Sequence, residues 1–403
     1  MTERLYYRDS FLREFEAQVV SCDQDPGAGN DRWRVVLDRT AFYPTSGGQP
    51  HDIGKLGAAD VVEVADSEDG HGVIHYTTAV VPLGTVRGTI HWPLRIDHMQ
   101  QHTGQHILSA AFVELFQFPT VSFHLGKEVS TIDLQAPSIV PRHLEEAERR
   151  ANDVIFDDRL ITVRFGTAEE LAEAGIRKKV EREGILRAVE IEGFDRQPCG
   201  GTHLARTGQA GALVLRKLER RRDTWRIEFV CGFRALAVAR GDFAALTQAA
   251  SVLSCSLSDV PASVTKVLEE RRTLHSSTKR MEDRLADLEA RDLLSKGTSI
   301  ASSGATCLSA VLEDATPAYL ALLAAKMTAQ ANVVALLVSR MAGHVVFAQT
   351  KGAAGDMGAM LREALAAFGG KGGGTKDFAQ GKLPNPADAD RILQHARDRL
   401  TQA

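Results

Sequence analysis

His102 and His106, in the run His-Thr-Gly-Gln-His, carry the strongest chemical signal in the 403-residue chain. Residues four apart on a helix lie only about 40° apart around its axis, so both imidazoles reach one metal ion. His98 stands one turn earlier on the same face, which makes His98 with His102 an alternative pair. No Glu follows the first histidine, so the HExxH arrangement of zinc peptidases is excluded. A second half-site lies far downstream in Gln197-Pro-Cys199-Gly-Gly-Thr-His203, whose two glycines let the backbone fold close to a metal. Thiolate plus imidazole is the ligand set zinc prefers, and the two half-sites together complete a tetrahedral count. Four protein ligands describe a closed structural site, whereas hydrolytic zinc keeps one position for water, so both roles stay open. A third feature is Phe42-Tyr-Pro-Thr-Ser-Gly47-Gly48-Gln49, followed by Asp52-Ile-Gly54. Its glycines allow close approach to a ligand, and its amide both donates and accepts hydrogen bonds.

The elements that must position these residues follow from the hydropathy pattern, and the expected class is α+β. Residues 1–92 alternate short β-branched runs with Gly, Asp and Pro clusters, which predicts a small N-terminal β-barrel. Residues 93–240 read as an α+β metal-binding domain. A helix is expected from His98 to Phe116, started by an Asp97/Gln100 capping box and carrying an apolar stripe of Leu108, Ala111 and Leu115. A second helix is expected over Arg142–Phe156, with strands near Ile161–Phe165, Ile185–Ile191, Ala212–Leu218 and Trp225–Val230. Residues 241–297 form a helical connector, in which Val267, Leu274, Met281 and Leu288 recur every seven residues. The positions between them are only partly apolar, so a helical hairpin or a modest homodimer contact is expected. Residues 298–403 alternate helix and strand around a glycine-rich loop and form an α/β domain.

Composition narrows the partners. With 48 Lys+Arg against 52 Asp+Glu, the net charge of -4 excludes nucleic-acid binding through bulk positive charge, so an RNA contact needs local basic patches. The five cysteines are irregularly spaced and form no disulfide framework, which points to a reducing, cytoplasmic compartment. The N-terminal residues lack the apolar core of a signal peptide, and no apolar run approaches the roughly 20 residues of a membrane helix.

Taken together, HxxxH, CxxxH, the SGGQ loop ahead of them and Arg226-Ile-Glu-Phe-Val-Cys-Gly232 behind them resemble the editing domain of alanyl-tRNA synthetase and its freestanding AlaX relatives. Gly369 to Gly381, with its run of glycines, resembles the signature of the DHHA1-type domain that ends those synthetases. This order of elements is that of the long AlaX class. The resemblance implies a trans-editing deacylase that hydrolyses the ester of a mischarged tRNA, typically serine on tRNA-Ala, with Zn2+ held by His102, His106, Cys199 and His203. It further implies that Gln49 and Gln105 act at the ester, with Gly47, Gly48 and Thr103 beside them on the substrate side. In many editing domains a Thr that reads the serine hydroxyl stands where this chain has Gln105, which opens serine-charged tRNA-Thr as an alternative substrate. Aminoacylation is not expected, because the catalytic domain would have to precede the editing module.

Candidate tRNA contacts are Arg177-Lys-Lys179 with Arg182, Arg216-Lys217 with Arg220-Arg-Arg222, and the glycine loop with Gly372, Gly373, Lys371, Lys376 and Lys382. Two competing readings are a DHH-type phosphoesterase, for which only Asp97-His98-Met99 is available, and a non-catalytic tRNA-binding protein with a structural zinc.

Overall fold

Strict alternation in Glu14–Gln24 turns Phe15, Ala17 and Val19 inward and Glu14, Glu16 and Gln18 outward, the period of a half-buried strand. The computed structural model describes every residue except 26–31, 69, 174, 177–183, 301–303 and 403. Among them the chain divides into two units, residues 1–248 and 249–403.

The first unit opens with β1 (Glu3–Arg4), β2 (Glu14–Gln24), β3 (Trp33–Leu37), β4 (Arg39–Thr40), β5 (Gly54–Leu56), β6 (Ala59–Asp66), β7 (Val73–Thr77) and β8 (Gly84–Ile90). Strands β2-β3-β7-β6-β5-β8 close a barrel, with β2 and β8 paired from Glu14↔Thr89 to Val19↔Gly84. The expected N-terminal barrel is therefore present. His75 sits fully buried in its wall, where Nδ1–H donates to Val35 O at 3.1 Å and Nε2 accepts from Thr40 Oγ1 at 2.8 Å.

Helix α1 (Trp92–Phe116) follows directly, with Pro93 in its first turn, so it starts six residues ahead of the expected His98. The Asp97/Gln100 capping box does not form, because Asp97 lies inside the helix and its carboxylate binds the Arg234 guanidinium. Nor is the helix amphipathic at its centre. Every residue from His98 to Phe112 is buried, whereas Leu115, assigned to the apolar stripe, is 40% exposed. Enclosure explains the difference: Ile107, Leu108 and Phe112 join the core built from α2 (Pro141–Phe156) and a four-stranded sheet, while the polar face meets the ligand-bearing loops. Full burial of each such apolar side chain stabilises the fold by about 1.5–3 kcal/mol.

That sheet has the order β14-β15-β10-β9, from β9 (Thr120–Leu125), β10 (Ser130–Leu134), β14 (Leu213–Arg221) and β15 (Thr224–Cys231). Strands β9 and β10 were not anticipated: β9 reads Thr-Val-Ser-Phe-His-Leu and is mostly exposed, so it carries no clear apolar period. Between these strands lie β11 (Ile161–Gly166), α3 (Ala168–Glu173), β12 (Leu186–Ile191) and β13 (Asp195–Pro198), with β11-β12-β13 forming an antiparallel sheet. Helix α4 (Phe233–Leu253) runs out of the unit.

In the second unit α5 (Val260–Ser295) is one unbroken helix rather than a hairpin. It buries Ala286 and Ala290 and leaves Leu274, Met281 and Leu288 exposed. A six-stranded sheet of order β16-β17-β18-β19-β21-β20 follows, from β16 (Thr298–Ser299), β17 (Thr306–Leu312), β18 (Val333–Ser339), β19 (His344–Gln349), β20 (Lys371–Gly374) and β21 (Phe378–Lys382). Helices α6 (Pro317–Thr328), α7 (Met357–Ala367) and α8 (Ala389–Gln402) pack on it. The glycine-rich segment expected as a loop is instead largely strand: Gly372 pairs with Gly381 and Gly373 with Gln380. Gly372 needs this smallness, since an added Cβ would meet Leu365, Gly381 and Gln380 at 2.6–2.8 Å. No helix among the described residues is long and apolar enough to cross a membrane. All five cysteines are free.

Candidate metal centre

His102, His106, Cys199 and His203 come together so that their ligand atoms all lie within 4.8 Å of one another. This resolves the ambiguity at the helix in favour of His102 with His106. His98 is not in the cluster and is buried near Asp52 and Asp97, against Arg95 and Arg234. Cys199 Sγ is 3.4 Å from His102 Nε2 and 3.2 Å from His203 Nε2. No other cluster of three or more metal-ligating side chains occurs among the described residues, and Asp97 is committed to Arg234, so a DHH-type metal site has no support.

The His102 and His203 imidazoles are oriented from behind. His102 Nδ1–H donates to Gln49 Oε1 at 2.8 Å, leaving Nε2 free to ligate. His203 Nδ1–H donates to Thr103 Oγ1 at 3.2 Å, and the same hydroxyl accepts from Leu204 N–H at 3.3 Å. His106 Nδ1 lies 3.8 Å from Asp195 Oδ2. Burial pushes the His102 imidazole down to about 3 and holds His203 well below its ordinary value, with further lowering from Arg187, so both stay neutral and ligation-competent. Burial also raises the Cys199 thiol, opposed by the Gly201 N–H and the Arg187 charge. A metal fits this donor set: three imidazoles and one sulfur brought together, with the outer nitrogens of His102 and His203 already hydrogen-bonded.

Two of the expected substrate residues therefore stand elsewhere. Gln49 is fully buried and spends both ends of its amide inside the protein. Oε1 accepts from His102 and from Thr202 N–H at 3.1 Å, and Nε2 donates to Thr202 Oγ1 at 2.8 Å. Thr103 is likewise fully buried: one residue past His102 the helix turns its side chain about 100°, toward His203 rather than toward the cavity. Gly47 and Gly48 do line the cavity, in a turn closed by Ser46 N→Gln49 O at 3.1 Å and Gln49 N→Ser46 O at 3.0 Å. Both have positive φ, +53° and +82°, and an added Cβ at Gly48 would meet the Phe123 ring at 2.7 Å. Gly201 is constrained by close approach, since a Cβ there would stand 2.2 Å from His102 Cε1.

Arg187 and Asp195 were not anticipated. The Arg187 guanidinium, 8% exposed, donates to Cys199 O at 2.6 Å, Gly201 O at 2.9 Å and Tyr7 O at 3.1 Å, holding the ligand loop in shape. The available signal was an arginine in the strand Leu-Arg-Ala-Val-Glu-Ile, whose other polar residue is Glu190. Buried Arg95 likewise binds Asp52, Ser10 O and Ala41 O, while Asp52 accepts from Tyr43 N–H, so this pair fixes the barrel loop against α1.

A cavity of about 490 Å³ opens onto the cluster, lined by His102, His106 and Cys199 but not His203. Gln105, Gln197 and the side chains of Ser109, Thr120, Ser122 and Phe123 complete its walls.

Arg216, Lys217 and Arg220 lie on β14 and do not line this cavity. Arg216 pairs with Asp242, Lys217 lies 3.6 Å from Glu219 and 3.9 Å from Glu228, and Arg220 stacks over Trp225. The cluster at Arg177–Lys179 with Arg182 lies outside the described residues. Lys371 and Lys382 face each other across the β20–β21 pair, with Lys376 in the turn between, and none has an ion-pair partner among the described residues.

Comparison with known proteins places these features in context. Residues 186–228 match the family described as the threonyl and alanyl tRNA synthetase second additional domain, and residues 304–402 match the DHHA1 domain. The chain is 30% identical to the alanyl-tRNA editing protein AlaX-L of Pyrococcus horikoshii, over 99% of this chain and 98% of that one. It is 30% identical to an alanine–tRNA ligase of Thermococcus kodakarensis over 99% of its own length, but spans only 44% of that protein. The alanyl-tRNA editing protein Aarsd1 of Mus musculus is 28% identical over 97% of each chain.

Proposed function

Because the chain belongs to the AlaX-L alanyl-tRNA editing family, we propose that it is a cytoplasmic trans-editing deacylase that hydrolyses the ester of a mischarged tRNA at a zinc centre. The observation that carries this reading is that three of the four ligand side chains line an open cavity. A structural site needs no such opening, whereas a hydrolytic one must admit its substrate. Bound at His102, His106, Cys199 and His203, zinc would supply a Lewis acid for an ester carbonyl or an activated water.

The chain's own residues do the rest. Gln49 and Thr103 hold the ligand imidazoles in one tautomer, Arg187 holds the Cys199 loop, and the turn at Gly47–Gly48 keeps one cavity wall free of side chains. Gln105 faces the cavity, where a Thr would read a serine hydroxyl in many relatives of this domain. Serine on tRNA-Ala is the substrate proposed, with serine on tRNA-Thr as the alternative. The C-terminal domain, with Gly372, Gly373 and Lys376 beside Lys371 and Lys382, is proposed to hold the tRNA, assisted by Arg216, Lys217 and Arg220. The exposed side chains of Leu274, Met281 and Leu288 on α5 support a homodimer contact, which sedimentation would test.

The test is to incubate the metal-quantified protein with serine-charged tRNA-Ala and, separately, serine-charged tRNA-Thr, and to follow released serine. Release from either, but not from correctly charged alanine or threonine, is the expected result and names the tRNA. No release from either, with one metal per chain bound, would sink the deacylase reading in favour of a structural metal.

A further inference from the structure

Strand β9 is the outer edge of its four-stranded sheet, and Thr120, Val121, Ser122 and Phe123 in succession line the metal-bearing cavity together with Gly47 and Gly48. Register fixes which way the main chain of this edge points. Leu125 stands opposite Ser130 but spends its N–H outside the sheet, on Gly48 O at 3.2 Å, so this pair is of the kind that exchanges no ladder bonds. Such pairs alternate along antiparallel strands, and the register runs without a shift from Leu125 back to Phe123. Phe123, opposite Ile132 and only partly buried, therefore also turns its N–H and C=O away from β10. That is the side on which Gly48 stands: the glycine turn caps the edge at Leu125 and leaves it open at Phe123. Neither main-chain group of Phe123 has a hydrogen-bond partner outside its sheet among the described residues. One step further the strand bulges, since Ser122 pairs with Asp133 and Thr120 with Leu134 while Val121, 49% exposed, is passed over. A bulge of this kind ends regular pairing and re-aims an edge.

An open N–H beside an open C=O of one extended residue takes a planar partner that carries an acceptor next to a donor. A seryl group has no such pair, because its ammonium and hydroxyl sit on saturated carbons. Adenine, the base on which every tRNA ends, has one in its exocyclic amine and the ring nitrogen beside it. The ester is borne by the ribose of that same nucleoside, so a site that holds the ester at the metal ligands has the base one sugar away. A cavity of about 490 Å³ is of the size that takes a nucleoside with its ester rather than a seryl group alone. Resting on the deacylase reading, we propose that the open edge of β9 binds the 3′-terminal adenine through the main chain of Phe123, whose N–H donates to the ring nitrogen and whose C=O accepts from the amine. Main-chain recognition of the one nucleoside common to all tRNAs leaves the choice among tRNAs to contacts elsewhere.

The probes are seryl-tRNAs whose terminal adenosine is replaced by purine riboside, which lacks the amine, or by 1-deaza- or 7-deazaadenosine, each lacking one ring nitrogen beside it. On the full-length, metal-loaded protein, kcat/KM should fall roughly 3- to 10-fold for purine riboside and for one of the two deaza termini, the range for one neutral hydrogen bond. Phe123→Pro deletes the N–H, and because that group points out of the sheet it breaks no ladder bond, the setting in which edge strands accept proline. Phe123→Ala, which also loses the ring but keeps the N–H, is the reference. In Phe123→Pro the deaza replacement should cost nothing while the purine replacement keeps its cost; in Phe123→Ala both keep their cost, at equal metal content. Purine riboside hydrolysed by the parent protein as fast as adenosine would overturn the proposal, as would a deaza cost that survives in Phe123→Pro. The comparison of termini in the parent protein needs no variant and decides the matter even where Phe123→Pro does not fold. Absence of any serine release from the natural terminus would instead remove the deacylase reading itself.

Discussion

Gln49 shows at the scale of a single residue how burial changes a role. In sequence it belongs to a glycine-rich turn and reads as a substrate contact. In the fold it stands behind His102, with its carbonyl oxygen fixing which imidazole nitrogen carries the proton. Outer partners of this kind typically tune metal affinity by about 10- to 100-fold. Gln49→Ala should therefore weaken zinc affinity by about that factor, read by chelator competition. A variant with parental affinity but slow turnover would return Gln49 to the substrate side.

Loop and strand geometry set the next scale. The Cys199–His203 loop closes against α1 only because position 201 has no side chain: Gly201→Ala would place a methyl inside the His102 ring. The expected result is loss of bound metal from a protein whose circular dichroism is otherwise retained, and full metal occupancy in that variant would contradict the packing described. In the barrel, burial lowers the His75 imidazole to about 4 from an ordinary 6.5. The unfolded chain then binds the extra proton between these values, so stability is present above pH about 6.5 and falls as pH drops toward about 4. The full difference is about 3 kcal/mol. Melting temperature against pH should accordingly flatten across that window in His75→Gln, and an unchanged slope would show that other groups govern it.

For the whole molecule the charge balance matters more than any one patch. With a net charge of -4 and with Arg216 and Lys217 beside carboxylates, the proposed tRNA contact is better served by cations that have no ion-pair partner among the described residues. Lys371 and Lys382 are such a pair, adjacent across β20 and β21. Replacing both by Ala should weaken tRNA binding and reduce the slope of log affinity against log salt by about 1.4–1.8, without changing metal content. An unaltered slope would place the RNA contact elsewhere.

Local periodicity was enough to read several of the barrel strands, most helices and the candidate ligand residues, apart from the choice between His98 and His106, because i,i+4 spacing on a helix and a Cys/His pair around two glycines are short-range geometric facts. Which neighbours cover those residues is not short-range. The start of α1 at Trp92, the burial of its polar residues from His98 to Gln105, and the pairing of the glycine run into β20 all depend on partners distant in the chain. So does the meeting of Gln105 with Gln197, one on a helix and the other on a strand, in the lining of one cavity. Spacing along the chain marks the candidate ligands, whereas enclosure decides which polar groups orient them and which line the cavity.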